Sequence, residues 1–205
     1  MKINKKLIVP AIIAVMTYLL CYQIPKILVN PADLHFLCLP IDSMIPFFGP
    51  FIYIYIGAFF QWAYCIHTVL QQETQLGYKF CSAIVIGSLI GFVIFMVYPT
   101  AVNRPEIIGD GFTNNFCRFI YSVDNIVCAC PSFHCFCSTI VILIYNKCEN
   151  VSKKMLYFNV VFSILVFIST LFIKQHFVMD LLPGILLAYI SMFLASKINI
   201  FKNNK

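Results

Sequence analysis

FCSAIVIGSLIGFVIFMVY, residues Phe80 to Tyr98, runs for 19 positions without a charged side chain. An α-helix rises about 1.5 Å per residue, so about 20 apolar residues cross a hydrocarbon core of about 30 Å. The stretch reads as a membrane-spanning helix. Five more segments of the same kind flank it: Leu7 to Ile24, Phe51 to Leu70, Val127 to Tyr145, Met155 to Ile173, and Phe177 to Ser196. They predict an all-α fold, a polytopic membrane helix bundle of six transmembrane helices forming a single domain over residues 1–205. Val127 to Tyr145 has a short apolar core and contains His134.

Composition agrees. The chain is 61% hydrophobic and 11% charged, with a mean hydropathy of +0.89, whereas a soluble domain carries roughly 25% charged residues. The net charge of +6 does not indicate nucleic acid, because no basic stripe with interleaved aromatics is present. Ten cysteines would suggest a disulfide framework only in a short secreted chain. Those within predicted spans, such as Cys21, Cys65 and Cys81, read as small core hydrophobes. The run Cys128, Cys130, His134, Cys135, Cys137 does not follow a paired Cys-x-x-Cys spacing, so no metal is expected there. Lys2, Lys5 and Lys6 precede the first apolar run, but no small-x-small cleavage site follows it. That run is expected to stay as the first helix.

Basic residues set the orientation. With six spans, both termini share one side with the second and fourth connections. That side holds Lys2, Lys5, Lys6, Lys79, Lys147, Lys153, Lys154, Lys197, Lys202 and Lys205, against Lys26, Arg104, Arg118 and Lys174 on the other. The positive-inside rule then puts both termini in the cytoplasm. The connection from Pro99 to about Ile126 falls outside, and it is long and polar. Loops of that length are more often functional than idle.

Ionisable residues at membrane depth are rare and usually functional. Arg104-Pro105 follows the third span, Pro131-Ser132-Phe133-His134 opens the fourth, and His176 with Asp180 opens the sixth, all on the outer side. A helix would stack His176 and Asp180 on one face. The carboxylate can then fix the imidazole tautomer and leave the other nitrogen as nucleophile. Pro131 suits a first helical turn, and the free N–H groups around Ser132 and Phe133 favour a phosphate. His134 is placed to protonate a leaving alkoxide, and Arg104 offers a fork that matches phosphate oxygens. Asp124, just before the second motif, reads as a loop anchor.

These residues resemble the type 2 phosphatidic acid phosphatase superfamily, whose signatures are Lys-x6-Arg-Pro, Pro-Ser-Gly-His and Ser-Arg-x5-His-x3-Asp. Here they read Arg104-Pro105, Pro131-Ser132-Phe133-His134, and Ser169-Thr170 followed by His176 and Asp180 at the family spacing, within residues 98–184. The resemblance implies catalytic roles for His176 as nucleophile, Asp180 as its orienting partner and His134 as general acid. It implies phosphate binding by Arg104, Ser132 and the Phe133 N–H, and chemistry without a metal ion or other cofactor. Two expected cations are absent, with Val97 and Thr170 in their places. Lys174, two residues before His176, is placed either to restore one of them or to snorkel to the interface.

The reading that follows is a cell-membrane lipid phosphatase acting at the extracytoplasmic face on a lipid phosphomonoester or diphosphate. Transfer to an alcohol acceptor is the alternative within the same chemistry. A transporter or scaffold would spread polar residues through the depth of several helices. Here they gather at one interface, apart from Gln61 and His67. The expected partner is a membrane lipid phosphate, and the sequence assigns no oligomeric state.

Overall fold

The computed structural model describes residues 2–198 and 200–201. Among these the ordered elements are helical: α1 (Ile8–Leu28), α2 (Pro40–Met44), α3 (Phe51–Val69), α4 (Thr74–Val97), α5 (Phe112–Val123), α6 (Phe133–Tyr145), α7 (Lys153–Phe172) and α8 (Val178–Lys197). Lys202 and Lys205, two of the cations that set the expected orientation, lie outside the described residues.

Four helices are long and apolar enough to cross a membrane: Lys5–Leu28, Thr74–Val97, Lys153–Phe172 and Val178–Lys197. The chain is thus a helical membrane protein, and the expected six spans become four that meet both criteria. The other two apolar helices pack in the same bundle. α3 carries Gln61, Trp62 and His67 along its 19 residues, and α6 has 13 residues. The fourth predicted segment needs correction at its start. Residues 127–130 pair with the chain after α4 instead of joining α6: Ala101 bridges Val127, and the Cys130 N–H donates to Thr100 Oγ1 at 2.7 Å. Their apolar character reflects burial against the 99–126 connection, not exposure to lipid.

The helices alternate in direction, and backbone hydrogen bonds tie their ends together. At one end Asn4 N–H donates to Leu70 O at 2.7 Å, joining the starts and ends of α1 and α3. At the other, Phe48 N–H donates to Phe172 O at 2.9 Å, His35 N–H to Pro99 O at 2.9 Å, and Ser132 N–H to Asp180 O at 3.0 Å. This second end gathers all three motifs.

The last of those contacts depends on Gly184, where a Cβ would collide with the Ser132 carbonyl oxygen. The sequence suggests that Pro183-Gly184 loosens the helix. Instead α8 runs through Pro183, and Gly184 lets it lie against the start of α6. Gly91 plays a similar part on α4, since a Cβ there would strike the Phe133 ring.

The 99–126 connection is more ordered than its polarity suggests. It contains α5, which buries Cys117 and Ile120 in a cluster with Ile52, Tyr55, Ile107 and Ile173. The Tyr121 hydroxyl donates to Ile173 O at 2.7 Å, fastening α5 over the end of α7.

Candidate active site

The site is built on two helix starts. Ser132 caps α6, its Oγ accepting from Cys135 N–H at 3.3 Å, and its own N–H is held by Asp180 O. Pro131 thus precedes the cap instead of joining the first turn. The N–H groups of Phe133 and His134 have no acceptor among the described residues. Free N–H groups at a helix start carry partial positive charge and suit an anion. The Phe133 side chain packs among other rings, stacked on Tyr18 and Tyr22 with centroids at 5.5 and 5.8 Å and tilted against Phe95 at 5.0 Å. A bulky residue at the family's glycine position is accommodated by this packing.

His176 and Asp180 meet, though not by stacking along a helix. α8 starts at Val178 with Phe177 as its cap, so His176 stands just outside it. Asp180 reaches back, its Oδ2 accepting from Phe177 N–H at 2.8 Å and lying 3.5 Å from His176 Nδ1. That separation is ion-pair range and too long for a formed hydrogen bond, and His176 Nδ1 and Asp180 Oδ1 are both buried without a partner. Such contacts commonly tighten once a substrate is bound.

His134 faces His176 with ring centroids 6.2 Å apart. Its other side is packed by Tyr55 at 4.1 Å, Trp62 at 5.1 Å and Phe59 at 5.5 Å, and its Nε2 is buried with no partner.

Arg104 lies across the outer connection. Its Nη1 donates to Tyr121 O at 3.1 Å and Asp124 O at 2.7 Å, its Nη2 donates to Asn125 O at 3.2 Å and to Gln175 Oε1, and its Nε is buried and unpartnered. Lys174 donates to Asp42 O at 2.9 Å and to Ile45 O, so its ammonium clamps the loop between α1 and α3. Val97 is 78% exposed, turned away from the site, and the Thr170 hydroxyl caps its own helix by donating to Phe167 O at 2.7 Å. Among the positions with a motif cation in view, Arg104 is the one that reaches His176's neighbour.

Two residues of this region, Gln175 and Asp42, carry no mark in the sequence, and a third, Asp124, does more than anchor a loop. Gln175 is buried beside His176. A guanidinium only donates, so the amide oxygen faces Arg104 and the NH₂ faces the opposite way, buried and without an acceptor. Asp42, also buried, accepts from Leu39 N–H at 2.7 Å and Val178 N–H at 2.8 Å, holding the turn that carries His176. Asp124 is bound to Lys26 at 2.5 Å and accepts from the Tyr22 and Tyr55 hydroxyls at 3.2 and 3.3 Å. Burial pushes its carboxyl up, but the Lys26 ammonium and the Arg104 guanidinium together bring it below the ordinary range. A loop anchor was expected at Asp124. In addition it underpins Tyr55, the ring stacked on His134. No local spacing signals these contacts, because each spans distant parts of the chain.

Five buried polar atoms on these neighbouring side chains thus lack a hydrogen-bond partner among the described residues: Arg104 Nε, His134 Nε2, Gln175 Nε2, His176 Nδ1 and Asp180 Oδ1. Buried polar groups are nearly always satisfied, so such a concentration marks a place for a polar ligand. Four of these atoms belong to side chains that can donate, which favours an anion. Among the described residues no group of three or more His, Cys, Asp or Glu is placed to hold a metal ion.

Comparison with known proteins follows from this geometry. No curated protein and no solved structure matches the chain. The family model of the PAP2 superfamily matches residues 47–194, which takes in both helix starts and the outer connection. Since that match covers well over half of the 205 residues, the chain belongs to the PAP2 superfamily.

Proposed function

We propose that the protein is a membrane lipid phosphatase, hydrolysing a lipid phosphomonoester or diphosphate at the extracytoplasmic face through a phosphohistidine intermediate. Superfamily membership supports phosphatase or phosphotransferase chemistry. The observation that carries the finer reading is the set of unpartnered buried polar atoms around His176, His134 and Asp180.

Asp180 draws the proton of His176 onto Nδ1, which leaves Nε2 with its lone pair. Nε2 attacks phosphorus as the bond to the lipid oxygen breaks, and His134 gives that oxygen its proton. Water then attacks the phosphohistidine, returning a proton to His134 and releasing phosphate. The Phe133 and His134 N–H groups, the Ser132 hydroxyl, the Gln175 amide and the free Nε of Arg104 receive the phosphate oxygens. Preorganised donors of this kind cost no reorganisation as charge develops in the transition state. Lys174, engaged with the loop carbonyls, orients the turn before His176.

One observation favours the phosphotransferase alternative. A site with a single guanidinium within reach suits a singly charged phosphodiester better than a dianion, and an alcohol would then take the place of water.

The test is chemical trapping. Incubation with a ³²P-labelled lipid phosphate and rapid quenching should leave acid-labile label on His176, and His176→Ala should release no phosphate. Full turnover by that variant would end the proposal. Phosphorylated alcohol in the lipid extract, with no free phosphate, would select the transfer reaction.

A further inference from the structure

α1 packs on α4, and α3 packs on α6 and α7, but α1 and α3 make almost no direct contact. Between them lies a cleft of about 230 Å³. Its floor is buried and apolar, made by Ala14, Cys65, Phe80 and Ile140. Its rim carries Val15, Leu19 and Phe59, which are 37%, 44% and 45% exposed on the flank of the bundle. One wall, α1, is long and apolar enough to cross a membrane, and α3 packs beside it in the same bundle, so the opening on this flank faces hydrocarbon.

The upper end of the cleft is bordered by rings that belong equally to the site. Tyr18 and Trp62 meet edge to face at 6.3 Å, and Phe59 and Trp62, both lining the cleft, also pack on His134. Helical rise gives the vertical scale. Tyr22 donates to Asp124 at the level of the site. From there the cleft begins about 6 Å deeper at Tyr18 and ends about 16 Å deeper at Ala11.

We propose that this cleft seats the distal part of the hydrocarbon chain of the lipid whose phosphate occupies the site at His176 and His134. The inference rests on the lipid-phosphate reading above and deepens it: the enzyme selects long-chain esters, because a short chain ends before it passes the Tyr18–Trp62 pair. A hydrocarbon chain is the occupant that this geometry fits. The cleft opens on the flank of the bundle, its walls are apolar, and two of the rings that line it, Phe59 and Trp62, pack on His134 of the phosphate site.

Two measurements test it. Full-length His176→Ala protein in vesicles is photolabelled with hexadecyl phosphate carrying a diazirine at the chain end. Label is expected on the 11–19 and 59–66 segments, displaced at least fivefold by excess hexadecyl phosphate and not by excess hexadecanol. Equal displacement by both would show an unselective hydrocarbon surface and overturn the proposal, as would label spread evenly over the bundle. In the second measurement Leu19→Trp and Ala63→Trp, which fill the rim from its exposed side, are assayed on hexadecyl and butyl phosphate. The ratio of kcat/KM for the long ester to that for the short one should fall at least tenfold. An unchanged ratio in monodisperse protein overturns the chain-binding role. If wild-type protein releases phosphate from neither ester, the phosphatase reading fails, and the labelling still decides the cleft.

Discussion

Gln175 sits one residue from the His176 imidazole, with its oxygen fixed by Arg104 and its NH₂ buried without an acceptor. Such a donor is unsatisfied until an anion arrives, so it should act mainly in the transition state. Replacing it with leucine, close in size, is expected to lower kcat by about 100-fold, the scale of losing one oxyanion donor. KM should change far less, the pattern of an interaction made only as charge develops. A merely structural glutamine would instead lower thermal stability with kcat intact, and a kcat within twofold of wild type would refute the role. The sequence disclosed His134, His176 and Asp180 because their chemistry is tied to short, fixed spacings. Gln175 and Asp42 carried no such mark: one gains its meaning from Arg104, 71 positions away, and the other from Val178, 136 positions away. The pairing of His176 with Asp180 was legible, but its cause was not, since the residues meet across the capping turn before α8 instead of along a helical face.

Among the elements, the outer connection was the least legible. The sequence reads it as a long polar loop, yet α5 buries one face against α3 and the residue that ends α7 and presents Phe112 and Phe119 outward. A helix of alternating character in a polar stretch is hard to tell from a loop until the surface it covers is known. Four of the six expected spans were readable because continuous apolar length is a local property. Boundaries moved: α4 begins at Thr74, ahead of the predicted Phe80, and α6 begins only at Phe133, where the backbone of residues 127–130 found partners in residues 100–102. The Asp124–Lys26 pair joins this connection to α1, with side chains 18% and 7% exposed. Removing one partner of such a pair leaves the other buried and uncompensated, so Asp124→Asn is expected to cost about 3 kcal/mol. The pH dependence has a definite sign. The folded carboxyl titrates below its unfolded value of about 4. Its contribution is therefore complete above about pH 4 and disappears as pH falls through the lower folded value. Thermal melts in detergent should show wild-type protein losing stability below about pH 4, with Asp124→Asn less stable at neutral pH and flatter across the acid range. Parallel curves for the two proteins would show that the pair does not hold the connection down.

For the whole molecule, the question is which side of the membrane the site faces. The described cations remain uneven. Lys2, Lys5, Lys6, Lys79, Lys147, Lys153, Lys154 and Lys197 gather at or near the end away from the motifs, while at the motif end Lys26 is paired with Asp124 and Arg104, Arg118 and Lys174 are bonded to carbonyl groups. This asymmetry is the basis for expecting the termini in the cytoplasm. The cysteines make this testable without adding any reporter. Eight of the ten are buried, Cys130 is half-buried, and Cys38, between α1 and α2 at the motif end, is exposed. A membrane-impermeant maleimide added to intact cells should therefore label the protein at one dominant position, and Cys38→Ser should abolish most of that label. If labelling required the membrane to be broken first, the motif end would face the cytoplasm. The lipid phosphate would then have to be drawn from the inner leaflet, with the chain cleft between α1 and α3 entered from that side.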